Sequence, residues 1–72
     1  MTIHARYQLL HRMNDFIRRR GTGTPAVFAE RLLVSRSTLF RHLEDLSSFG
    51  AVIAYDREKE TYYYINEFNF QF

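Results

Sequence analysis

Seventy-two residues with no cysteine, 46% hydrophobic and 17% aromatic, describe one small domain, which at this size buries only about 60% of its unfolded surface and has neither a disulfide nor a thiolate zinc site to staple it. A charged fraction of 25% beside that apolar content excludes a disordered chain, and with no apolar run near the roughly 20 residues of a membrane span and no basic-then-apolar leader, a cytoplasmic protein without a membrane partner is expected. The net charge of +2 hides an asymmetry: residues 1–42 hold eight arginines against Asp15 and Glu30, whereas residues 43–72 hold Arg57 and Lys59 against six acids, a basic half suited to a polyanion beside an acidic one.

Ile3, Tyr7, Leu10, Met13 and Ile17 recur at three- and four-residue spacings, with Leu9 and Phe16 widening the stripe, so residues 3–20 are expected to form an amphipathic helix. It runs into Arg18, Arg19, Arg20 and Gly21. Cations suit the negative end of a helix dipole, and glycine suits the left-handed residue that closes a helix. The triplet therefore reads either as a helix end or as a set of phosphate contacts. Thr24 is a candidate N-cap with Pro25 at the first helical position, opening a short helix through Val27, Phe28, Ala29, Leu32 and Leu33. Ser35 is the next N-cap, and the third helix covers residues 36–49 before Gly50 stops it. On that helix Leu39, Leu43 and Leu46 share a narrow arc, Ser37, Arg41, Glu44 and Ser48 lie opposite, and Phe40 and His42 occupy the flanks.

After Gly50 the period becomes two. Residues 51–55 and 61–65 are rich in β-branched and aromatic side chains, and the charged run 56–60 between them reads as a five-residue hairpin tip. That count puts Ile53 and Tyr55 on one face with Tyr63 and Ile65, the face expected to meet the helices. The order is helix, helix, helix, hairpin: an α+β fold of the winged helix-turn-helix kind over residues 1–65, followed by a separate tail at 66–72. In such a fold the second helix of the pair, here residues 36–49, enters the major groove of DNA by its N-terminal end. Arg36 and Arg41 can fork onto guanine O6 and N7. Ser37 and Thr38 are short enough to let the backbone approach, and the capped helix start at Ser35 offers amides to a phosphate. Arg18, Arg19 and Arg20, with Arg57 and Lys59 at the wing tip, are the candidate phosphate contacts.

The run from Phe28 through Leu46, with Ala29, Val34-Ser35-Arg36, Thr38, Arg41, Leu43 and Leu46, followed by Phe49-Gly50-Ala51-Val52-Ile53 and Tyr62-Tyr63-Tyr64-Ile65, resembles the N-terminal winged helix-turn-helix of DeoR-type, biotin-operon-repressor-type and WYL-domain bacterial regulators. The resemblance covers about residues 6–65. It implies that Ser35, Arg36, Ser37, Thr38 and Arg41 face DNA, and that Ala29, Val34, Leu39, Leu43 and Leu46 hold the two helices together. It further implies a transcriptional regulator; regulators of this kind normally continue into an effector-binding domain, whereas this chain stops, so action by site occupancy is expected, with control by a separate effector protein left open. Two departures stand out. Leu33 occupies the place where the turn usually has glycine, and the wing tip carries three acids against two bases.

Other chemistry has little to stand on. His4 and His11 on the first helix are about 10 Å apart along its axis, too far for one ion, and neither a nucleophile elbow nor a phosphate loop is present, so no enzyme, metal or cofactor is expected. A winged helix used for protein binding alone is the rival reading. The tail alternates Phe68, Phe70 and Phe72 with Glu67, Asn69 and Gln71, as a strand would. Such a strand either folds back on the first helix and hairpin or packs into a second subunit. The second reading makes these phenylalanines the contact of a homodimer, with two recognition helices about 34 Å apart on double-stranded DNA.

Overall fold

The computed structural model describes residues 2–70. Three helices, α1 (Ile3–Arg18), α2 (Pro25–Leu32) and α3 (Arg36–Ser48), precede an antiparallel hairpin of β1 (Ile53–Asp56) and β2 (Thr61–Tyr64). Each helix starts on a hydroxyl cap: the side chains of Thr2, Thr24 and Ser35 accept from the amides of Ala5, Val27 and Thr38, which satisfies donors that have no partner inside a helix.

The helix ends show where backbone geometry overrides residue preference. α1 stops at Arg18, two residues short of expectation, and Arg20 rather than Gly21 takes the left-handed conformation at φ 54°. Its amide bonds to Ile17 O (3.0 Å) and that of Gly21 to Phe16 O (3.0 Å), the paired closure of a Schellman motif. The left-handed slot is counted from the last buried turn, at Ile17, so it falls on an arginine. α2 closes in the same way on Leu33 (φ 59°, ψ 42°), with Leu33 N bonded to Glu30 O and Val34 N to Ala29 O. Gly23, by contrast, is demanded twice over: φ is +77°, and a Cβ there would meet Val27 Cγ1 at 2.7 Å.

The core is one cluster. Leu9, Leu10, Met13 and Ile17 of α1 meet Phe28, Ala29 and Leu32 of α2 and Leu39, Leu43 and Leu46 of α3, with Tyr62 closing it from β2. Phe28 sits between the rings of Phe16 (5.8 Å) and Tyr62 (6.0 Å). The segment joining α1 to α2 is tied to β2 through Thr22, whose amide donates to Thr61 Oγ1 (3.1 Å) while its own Oγ1 accepts from Tyr62 N (2.9 Å). Both threonines are buried.

The hairpin forms where expected, but its register corrects the sequence reading. Tyr55 pairs with Tyr62 and Ile53 with Tyr64, and Asp56 pairs with Thr61, so the tip is residues 57–60. Asp56 stays in the ladder because its Oδ1 accepts from the amides of Glu58 (2.9 Å) and Lys59 (3.1 Å), and Glu60 takes φ 52° to return the chain. A tip one residue shorter exchanges the faces of β2 relative to β1. Tyr62 and Tyr64, not Tyr63 and Ile65, therefore share the inner face with Ile53 and Tyr55, and Ile65 is left 65% exposed.

The tail is a second correction. Residues 65–70 form no strand. Phe70 is 4% exposed, buried within its own chain against Tyr7 (6.1 Å), His11 (4.8 Å) and Phe49 (5.2 Å). Phe68 is half-buried and lies edge-on to Tyr64 at 5.1 Å. Buried Asn14 of α1 anchors the segment. Its Nδ2 donates to Asn69 Oδ1 (2.8 Å), and its Oδ1 accepts from Tyr64 OH (2.8 Å) and Phe70 N (3.2 Å). Asn66 fixes the start of the tail by accepting from Val52 N (3.0 Å) and donating to Gly50 O (2.9 Å). The two asparagines impose an irregular path, so the alternating pattern does not make a strand. The tail completes the core of its own chain, and Phe68 and Phe70 are not a free dimer contact. Phe72 lies outside the described residues.

Candidate nucleic-acid interface

The start of α3 is built around one hydroxyl pair. Ser35 Oγ accepts from Thr38 N (3.1 Å) and donates to Thr38 Oγ1 (3.0 Å), which occupies both side chains in opening the helix. One turn on, buried His42 donates from Nδ1 to Thr38 O (2.8 Å). These bonds fix the backbone from residue 35 to 42 and leave Arg36, Ser37 and Arg41 projecting from it. All three are exposed, and none has an ion pair or side-chain hydrogen bond among the described residues. Ser35 and Thr38 thus act as the frame, and Arg36, Ser37 and Arg41 are the groups available to a ligand.

A residue that the sequence did not single out joins this surface. Arg6, on the first turn of α1, forms an ion pair with Asp45 of α3 (3.1 Å). Together with Thr38, Arg41 and His42 these two side chains line an open groove between the helices. Arg6 is one of many arginines on a polar helix face, and only the packing of α1 across α3 distinguishes it. The pair is substantially exposed, which limits it to about 0–1 kcal/mol of stability. Its effect is to hold Arg6 beside Arg41.

The arginine triplet is not brought to this surface. Arg18 lies about 18 Å along α1 from Arg6 at 1.5 Å per residue. Its guanidinium reaches Asn69 Oδ1 (3.4 Å), and Arg18 and Arg20 line an open groove with Tyr64, Asn66, Glu67, Phe68 and Asn69. Arg19 donates from Nε to Asp15 O (3.2 Å) and lies 5.2 Å from the Phe16 ring, while Arg20 stacks 4.9 Å from the ring of Tyr63. The triplet thus serves the helix end and the hairpin base. Arg57 and Lys59 are exposed at the wing tip between Asp56, Glu58 and Glu60, so the wing presents alternating charge and little net field.

Among the described residues, one environment shifts a titration strongly. Burial of the Tyr64 hydroxyl against Asn14 holds this phenol protonated far above its ordinary value of 10; nearby Arg18 opposes the shift and Asp15 adds to it. Tyr62 is raised as well, by burial first and by Tyr55 second.

The arrangement is an α+β domain of three helices and an antiparallel hairpin, a layout compatible with a winged helix, with unpaired arginines on the exposed face of its third helix. Comparison with protein-family models, with curated proteins and with solved structures gave no match for the chain. Among the described residues no helix is long and apolar enough to cross a membrane.

Proposed function

We propose that this protein binds double-stranded DNA in a sequence-dependent manner, with α3 in the major groove, and regulates transcription by occupying its site. The observation that carries the reading is the pairing state of α3: Arg36, Ser37 and Arg41 stand exposed without an intramolecular partner, on a helix start held rigid by Ser35, Thr38 and His42. Planar guanidinium groups on such a helix suit the two acceptors of a guanine edge. Arg6, held beside Arg41 by Asp45, supplies charge at the flank, where it serves a backbone phosphate. Two copies on a two-fold site would present their α3 helices about 34 Å apart, by a contact other than buried Phe70.

The test is residue-specific. Arg41→Ala should weaken binding to the preferred duplex by about 1–3 kcal/mol and relax base preference at one position, whereas removing a phosphate-contacting cation weakens all duplexes alike and lowers the salt slope by about one. Titration of Arg41→Ala and Arg6→Ala against preferred and scrambled duplexes separates the two patterns.

A protein-binding role without DNA is the second reading. It is favoured by Phe49, Val52 and Ile65, which are 49%, 49% and 65% exposed, the last two adjacent across the hairpin base through the Ile65 N to Val52 O bond (2.8 Å). Under this reading Arg36→Ala and Arg41→Ala leave partner capture unchanged, and Val52→Ser abolishes it.

A further inference from the structure

Phe40, on the flank of α3 opposite His42, is the one large apolar side chain of that helix outside the buried leucine arc. It is 46% exposed, and among the described residues no ring or cation stacks on it. The core of α3 is complete without it: Leu39, Leu43 and Leu46 are buried, and the opposite flank is closed by buried His42. Its position is defined by helix geometry. At 3.6 residues per turn it stands about 40° around the helix from Arg36 and about 6 Å further along the axis, and about 60° from Ser37. An unpartnered ring is therefore bracketed by Arg36, Ser37 and Arg41, the groups assigned above to base edges. Close to half of the Phe40 surface stays open to water beside these polar groups, so an apolar ligand group within the same footprint would bury surface that the fold leaves exposed.

The major groove offers one such group, the 5-methyl of thymine, which guanine, adenine and unmodified cytosine lack. We infer that Phe40 is a specificity-determining residue that reads a pyrimidine 5-methyl group next to the base pair contacted by Arg36. This rests on the DNA-binding reading and deepens it: recognition combines guanine acceptors, met by arginine, with a methyl group, met by the ring. A thymine one or two base pairs from a guanine is the minimal element expected in the preferred site. A 5-methylcytosine at the thymine position keeps the methyl, so its replacement for cytosine there should strengthen binding.

The experiment uses the full chain and a duplex selected from random sequence. Each thymine of the site is replaced singly by deoxyuridine, which removes the methyl and leaves base pairing and charge unchanged. Affinity should fall roughly three- to fivefold at one position, the amount expected for burial of one methyl, and be unaffected at the others. In Phe40→Ala that sensitivity should vanish while binding to the deoxyuridine duplex is retained. Phe40→Leu should restore part of it. Because the ring is exposed, the variants should keep the helical circular dichroism of the parent. A selected site that binds but shows no deoxyuridine sensitivity, or the same sensitivity in Phe40→Ala, overturns the assignment of Phe40 and leaves the DNA-binding reading standing. Failure to select any duplex overturns both.

Discussion

Leu33 carries a backbone conformation that its side chain disfavours. At φ 59° and 87% exposed, it contributes almost nothing to packing and holds the left-handed turn between α2 and α3, a conformation that costs a residue with a Cβ about 1–2 kcal/mol. Glycine would remove that cost and add about 0.5–1 kcal/mol of chain entropy. Leu33→Gly should therefore stabilise by about 0.5–1 kcal/mol, raising Tm by about 3–6 °C in a thermal scan. The sequence shows the missing turn glycine but not that the backbone keeps the glycine geometry regardless. Asn14 was legible to a lesser degree. It lies within a helix whose apolar stripe passes on either side of it, and nothing local reveals three hydrogen bonds to residues 64, 69 and 70. Tyr64 gives a pH test of that network. Its phenol is raised in the folded state, so its contribution is present below the ordinary value of 10 and is lost as pH rises past it, when the unfolded phenol ionises and the buried one resists. Urea midpoints should fall between pH about 9 and about 11, and fall less in Tyr64→Phe, which has no proton to lose at that position.

At the scale of elements, caps and periodicity account for what was readable. Thr24-Pro25 and Ser35 start their helices where the side chains require it, and the leucine arc of α3 is the buried arc. What was not readable depends on counting across a turn or on contacts distant in sequence. The side-chain bonds of Asp56 to the tip amides shorten the hairpin tip by one residue and exchange Tyr63 for Tyr62 on the inner face. The alternation of the tail has the period of a strand, but Asn66 and Asn69 hold it in an irregular path across α1, where Phe70 fills the space between Tyr7, His11 and Phe49. Phe70→Ala should cost about 3–5 kcal/mol, a large part of the stability of so small a domain, and Phe70→Leu about 1–1.5 kcal/mol. Urea denaturation of both checks the tail as part of the core. An unchanged midpoint in Phe70→Ala would mean that the segment is not packed as described.

Across the whole molecule, two groups of arginines from the basic first half lie at opposite ends of α1, and Arg12 and Arg31 are engaged between α1 and α2. Arg6 meets α3 beside Arg41, while Arg18 and Arg20 lie at the hairpin base and tail and Arg19 folds back on α1. Composition reveals the excess of positive charge but not this division, because it arises from how α1 crosses the other elements. The division makes a prediction about salt dependence: Arg6→Ala, which removes a positive charge beside α3, should lower the slope of log K against log salt by about one, and Arg19→Ala, at the other end of α1, by less. On the reading proposed above, α3 is the DNA-reading helix of the molecule. Fluorescence anisotropy of the full chain on a labelled duplex selected from random sequence, at about 50 and 200 mM salt and beside a scrambled control, repeated with Arg36→Ala/Arg41→Ala, is the direct measurement. Binding to the preferred duplex should saturate at the lower salt, weaken steeply at the higher, and in the double variant fall to the level of the scrambled duplex. No binding at low salt, or binding that the double variant retains undiminished, would contradict that reading.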